Sequence, residues 1–136
     1  MNTTYFSNMI AGNLFHIAGS AAFPAKYYIG ISSTMPNKDG TGATEPSTSG
    51  TGYARVEISN LTGPTDGEIT NSEQIVFPRS KTDWFPPATP AIAYTIWDGN
   101  SADAHLLSAG ELQKSRIVES NVDFILDVNH LSIKVI

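Results

Sequence analysis

The chain contains no cysteine, which excludes a disulfide framework and any thiolate metal site and leaves the redox compartment open. Basic residues are few: eight Lys and Arg stand against thirteen Asp and Glu, for a formal net charge of −5. The acidic residues are spread along the chain rather than gathered in a tail, and the scattered cations form no patch that would neutralise phosphates, so no nucleic-acid partner is expected. No stretch is long and apolar enough to cross a bilayer, and a soluble chain with no membrane partner is expected. Met9 to Phe23 ends in small residues as a secretory leader does. No Lys or Arg precedes it, however, since Lys26 is the first, and Asn13, His16 and Ser20 interrupt it; no signal peptide is expected. Charge as a whole is sparse, at 15% of residues, while there are 11 glycines and 8 prolines. That balance favours short strands joined by turns over long exposed helices. The 136 residues suffice for one domain with its own core.

Thr3 or Thr4 caps a predicted helix in residues 1–20. Its apolar stripe runs Phe6, Met9, Ile10, Leu14 and Ile17, Gly19 closes it, and Pro24 forbids extension. The stripe either packs on the domain or docks on a neighbouring subunit. From Tyr27 the period changes to two, with strands predicted at 27–33, 53–59, 75–77, 92–96, 105–108, 116–119, 122–126 and 131–135. Turn chemistry separates them at Gly63-Pro64, Asp66-Gly67, Pro86-Pro87, Asp98-Gly99-Asn100, Ala109-Gly110 and Val128-Asn129-His130. Residues 34–52 read as a flexible Gly/Ser/Thr loop, the kind of insert that carries contacts rather than stability. The fold expected is mainly β: an antiparallel β-sandwich or jelly roll of about eight strands with a short N-terminal α-helix, as a single domain over 1–136. The alternating end, Leu131 to Ile136, would be prone to edge-to-edge pairing unless a partner covers it.

No assembled chemistry is legible. His16, His105 and His130 lack ligand spacing, so no metal and no cofactor are expected. Asp103 and His105 share a strand face, read as a solvated pair because no activated nucleophile accompanies them. Asp66 and Glu68 flank a turn and lack the cleft of a paired-carboxylate hydrolase. Gly40-Thr41-Gly42 has no lysine at the spacing of a phosphate loop. Trp84, Phe85 and Trp97 are candidates for an interface or a sugar-stacking platform, with core packing as the competing account. Arg55, beside Tyr53, pairs either with an acidic partner or with a carboxylate of its own domain.

Four blocks stand in order along the chain: Tyr28 to Pro36; Gly50 to Val56; Ile69 to Ser72 leading to Ile75 to Pro78 and Asp83-Trp84; and Ile96 to Asp98 leading to Leu106 to Gly110. Together they resemble a family of small bacteriophage virion proteins commonly labelled phage tail fibre proteins. Thr51 between two glycines and Phe85-Pro86-Pro87 after the tryptophan depart from the family pattern. The resemblance implies a non-enzymatic structural component of the virion, on a tail, collar or baseplate, with itself and other virion proteins as partners. Two alternatives accompany it: a decoration protein on the outer capsid surface, and a carbohydrate-binding module for host attachment that uses Trp84, Trp97 and the loop.

Overall fold

The structure is a computed structural model that describes residues 1–134. Thr3 is extended, and its Oγ1 accepts a hydrogen bond from the Phe6 N–H at 3.2 Å, capping helix α1 (Thr4–Leu14). The helix stops earlier than predicted. His16 takes a left-handed φ of 57°, the Ile17 N–H donates to the Gly12 carbonyl at 2.8 Å, and the His16 N–H donates to Asn13. This six-to-one and five-to-two closure is a Schellman motif, with histidine where glycine is usual. Ile17 therefore lies beyond the helix, and Gly19 is not its terminator.

Nine strands are found among the described residues, all paired antiparallel. β1 (Tyr27–Ser32), β2 (Val56–Ile58), β6 (Ala91–Trp97) and β7 (Leu106–Arg116) form a four-stranded sheet in the order β2-β1-β6-β7. β3 (Leu61–Thr65), β4 (Glu68–Asn71) and β9 (Ser132–Lys134) form a second sheet, and β5 (Ile75–Val76) pairs with β8 (Ile125–Leu126) in a third. The mainly β, antiparallel reading with one short N-terminal helix thus holds.

Several boundaries differ, each for a local reason. The hairpin β3-β4 was not predicted, because Gly63 and Pro64 suppress the strand signal; Pro64 is tolerated on an edge strand. Its turn was legible: Asp66 and Gly67 both have positive φ, as a two-residue hairpin turn requires. Ala109-Gly110 is no turn but the middle of β7. Gly110 sits opposite Tyr94, whose phenol occupies the space a Cβ would fill. The strand predicted at 116–119 ends with β7 at Arg116, and Val118 instead supplies a buried side chain and a carbonyl to the Trp84 N–H at 3.0 Å. The 53–59 strand shortens to β2. Of the strand predicted at 131–135, residues 132–134 are β9, and Val135 and Ile136 lie outside the described residues.

One core joins the three sheets. Register places Ile29 opposite Ile96 and Ile31 opposite Tyr94, and these side chains meet Phe77, Trp84, Val118, Phe124, Leu126 and Leu131. Phe77 and Phe124 make an edge-to-face contact at 5.4 Å, and Tyr53 and Trp84 another at 5.1 Å. On the opposite face of the four-stranded sheet, Phe6 and Met9 of α1 pack on Leu107. Covered on both faces, β1 and β6 are buried along most of their length. The N-terminal residues strap the free edge of β7: Thr3 N–H donates to Leu107 and Ala109 N–H to Met1, each at 2.9 Å.

Buried polar side chains hold the irregular segments. Asn71 is fully buried; its Nδ2 donates to the Glu73 and Asp127 carbonyls at 2.8 Å each, and its Oδ1 accepts from Leu131 N–H at 3.0 Å. Ser80, also fully buried, donates to the Glu119 carbonyl and accepts from the Val122 N–H. Asn71→Ala leaves the buried Leu131 N–H and the part-buried Glu73 and Asp127 carbonyls without this partner, so unfolding in urea should show a loss of about 2–3 kcal/mol. Asn60→Ala, which removes only an exposed bond to Glu73, should cost under about 0.5 kcal/mol.

Candidate interaction site

The densest polar cluster is built over Gly30. Glu45, the one charged residue between Gly40 and Gly52, grips Arg55 side-on: Arg55 NH2 donates to Glu45 Oε1 at 2.7 Å and Arg55 Nε to Oε2 at 3.0 Å. The Tyr53 hydroxyl donates to the same Oε2 at 2.5 Å and accepts from the Ile31 N–H at 3.2 Å. The guanidinium lies 3.8 Å over the Trp97 ring, with NH1 donating to the Gly99 and Ser101 carbonyls at 2.9 and 3.2 Å. Trp97 Nε1 donates to Thr95 Oγ1 at 2.8 Å. Only 11% of the Arg55 side chain and 16% of the Glu45 side chain are exposed.

Two glycines permit this approach. A Cβ on Gly30 would stand 2.5 Å from the Tyr53 hydroxyl and 2.6 Å from Glu45 Oε2. Gly52 has φ +80°, and a Cβ there would meet the Arg79 carbonyl at 2.5 Å. Thr51, beside it, accepts at its carbonyl from the Lys81 N–H at 2.8 Å and from Trp84 Nε1 at 3.0 Å. At the other end of the loop, Ser33 N–H donates to Thr44 and Thr34 Oγ1 to Gly42. The loop is thus tied to the sheet at 34–45 and 51–55, and Ser47 to Gly50 is exposed between.

The sequence candidates fall mostly inside. Tyr53, Trp84, Phe85 and Trp97 are buried, Trp84 at 4% exposure, so these rings are not a surface platform; they fill the core, and the base of Arg55's stack is Trp97. Arg55 takes the intradomain pairing of its two accounts. Of the docking-helix stripe, Phe6 and Met9 face the domain's own Leu107, Ile10 is half-buried, and Leu14 and Ile17 are exposed. His105 pairs with Asp98 at 3.0 Å, not with Asp103, and its ring stacks on Tyr5 at 4.1 Å. Glu68 bonds the Ser132 hydroxyl rather than pairing with Asp66. Among the described residues no group of three or more His, Asp or Glu could hold a metal ion, and no helix is long and apolar enough to cross a membrane.

Every buried side-chain N or O atom among the described residues has a hydrogen-bond partner. The polar groups are therefore committed to the fold, and what is left for a partner is surface. Large apolar side chains are exposed at Leu14, Phe15, Ile17 and Phe23 along one segment, at Val76 and Ile125 on the small β5-β8 sheet, and singly at Met1, Met35, Leu61, Ile117 and Val128. Sequence reasoning missed Phe15 and Phe23 because they lie off the helical stripe. It missed Glu45 as well, although a lone charge between Gly40 and Gly52 is a usable signal for a specific internal partner.

A family model described as podophage GP4 fiber I protein gp80 matches residues 2–134. No curated protein matches the chain.

Removing one partner of the enclosed ion pair leaves the other charge desolvated. Arg55→Ala should lower stability by about 3–5 kcal/mol in urea titration, Glu45→Gln/Arg55→Met together by less, and Gly30→Ala should unsettle the same cluster by clash. Burial, reinforced by the Glu45 charge and its hydrogen bond, raises the Tyr53 phenol far above its ordinary value, and burial raises Tyr94 as well. Since the unfolded chain ionises these phenols near pH 10 and the folded chain does not, stability is intact below about pH 10 and falls above it. The urea midpoint should drop between pH 9 and pH 11, and Tyr53→Phe should drop less steeply over the same interval.

Proposed function

We propose, because the chain belongs to the podophage GP4 fiber I protein gp80 family, that this phage fibre component is built into the virion's tail apparatus. It holds copies of itself and other virion proteins there and converts no substrate. The observation that carries this reading is the family match over 2–134, almost the full chain. The site geometry is in keeping with it. The guanidinium, carboxylate, phenol and indole of the Arg55 cluster satisfy one another internally and present no nucleophile beside a base.

The alternatives draw less support. A sugar-stacking platform requires open aromatic faces, and Trp84 and Trp97 are enclosed. A capsid decoration would share the β architecture, but the matched family is a fibre family. Non-enzymatic particle proteins gain strength through repetition: many modest contacts on a symmetric particle add as avidity.

The test is on particles. Mass spectrometry of purified virions should find the chain, and cryo-electron microscopy should place its density on fibres at the tail. Virions that lack the chain, or density spread over the head in proportion to the capsid subunit, would sink the proposal.

A further inference from the structure

We infer that the groove between residues 83–88 and 117–119 receives an arginine side chain, with its apolar neighbours, from another protein of the virion. The inference rests on the fibre reading and adds to it a surface and the chemistry of its occupant.

Asp83, Phe85, Pro86, Pro87, Ile117 and Glu119 line one groove of about 330 Å³. That is at the small end of cavities that hold ligands, so a side chain or two enters and not a whole helix. The fold holds both walls in place. The Trp84 N–H donates to the Val118 carbonyl at 3.0 Å and the Ser120 N–H to Asp83 Oδ1 at 2.9 Å, which ties one wall to the other. Ala88 takes a left-handed φ of 61°, and the Thr89 N–H returns to the Pro86 carbonyl at 3.1 Å, a turn that fixes the two prolines at the rim. Phe85 belongs to the core, whereas Ile117 is 53% exposed beside buried Val118. A groove built from rings and a closed turn has little freedom to lose on binding.

The rim selects what can enter. Only two polar side chains line the groove; both are carboxylates, both are exposed, and neither makes an ion pair with another described residue. Cations close in the chain are turned elsewhere: Arg79 pairs with Asp123, and Arg116 donates to the Asp123 carbonyl at 3.3 Å and lies over the Phe124 ring. An uncharged partner would desolvate two carboxylates without compensation, and an acidic one would be repelled. A side chain with an apolar stem and a cationic head matches floor and rim together. Arginine suits the site better than lysine, because its planar guanidinium stacks on ring faces, bonds carboxylates through a fork and is less strongly hydrated. A second copy has no arginine to offer. The chain has three: Arg55 is enclosed by Glu45 and Trp97, and Arg79 and Arg116 are engaged as described. The arginine therefore comes from a different protein.

Titration of the isotope-labelled full chain with the peptide acetyl-Leu-Arg-Leu amide, followed through backbone amide NMR signals, tests this directly. The signals of Phe85, Ala88 and Ile117 to Ser120 should move together. The citrulline peptide, which keeps the shape of arginine without its charge, and the lysine peptide should both bind more weakly. Asp83→Asn/Glu119→Gln should weaken binding of the arginine peptide about threefold to tenfold, with an unchanged circular dichroism spectrum because the replacements keep shape. If Asp83→Asn disturbs the turn, Glu119→Gln alone carries the test, and Ile117→Ser probes the apolar floor with the same direction of effect. Added salt should weaken binding to the unmodified chain and leave that of the double variant unchanged. Virions carrying the double variant should retain about threefold less of it through washing. No signal movement, equal binding of the citrulline or lysine peptide, full binding by the double variant, or equal retention on virions would overturn the inference. So would movement of the same signals when the chain alone is concentrated, which would give the groove to a second copy. Any of these with the chain still found in purified virions leaves the fibre reading standing; absence from virions removes that reading by itself.

Discussion

A guanidinium clamped between a carboxylate and an indole, above a glycine in the central sheet, is the constraint on which the rest of this structure depends. Desolvating Glu45 and Arg55 costs several kcal/mol per ion, and attraction in a low dielectric offsets it only when geometry is good and the remaining donors are used. Here the pairing is side-on, and the NH1 left over by Glu45 reaches the Gly99 and Ser101 carbonyls. The net gain in stability from such a pair is small. Its effect is on uniqueness: the 34–52 loop, the approach to β2, the middle of β1 and the end of β6 are each fixed by the same few atoms. A one-residue slip of β1 would bring Ile29 or Ile31 under the Tyr53 hydroxyl, where only Gly30 fits, and would turn the core-facing residues outward.

The same cluster explains what was legible in the sequence. Tyr28 to Pro36, Gly50 to Val56 and Ile96 to Asp98 are remote in the chain, yet Gly30, Tyr53, Arg55 and Trp97 from these three blocks meet at one point. Their order was readable because each block contains a residue type that no neighbour could replace: a glycine under a phenol, an arginine on an indole. The strand alternation of β1 and β6, the Thr3 cap and the Asp66-Gly67 turn were readable for similarly local reasons. Elsewhere the deciding contact is remote. Gly110 looks like a turn until Tyr94 occupies its missing side chain, and His16 looks unlike a helix stop until Gly12 and Asn13 close on Ile17 and His16. Burial of the tryptophans follows the same rule. Trp84 enters the core because Val118 and Thr51 take its backbone and indole N–H groups, and neither is near it in sequence.

A division of labour along the chain follows. Both tryptophans and the buried polar side chains are consumed by the fold, which is how a chain with so little regular structure in residues 34–55 and 77–90 holds those segments in place. Asn71 and Ser80 each replace a missing stretch of ladder with side-chain bonds to backbone, satisfying part-buried groups that would otherwise lack these partners.

For a fibre component this arrangement separates two requirements that compete in smaller proteins. A subunit that must hold its shape under load benefits from a core whose aromatic and ionic contacts do not rearrange on binding, so that association costs little internal ordering. A contact surface can then be modest in area and still effective wherever subunits repeat on a particle, because repetition multiplies each weak contact. Had Trp84 or Trp97 been spent on an outer face, the core would have lost its largest side chains and the Arg55 stack its base. The chain instead leaves at its surface side chains the core does not need, Leu14, Phe15, Ile17 and Phe23 among them.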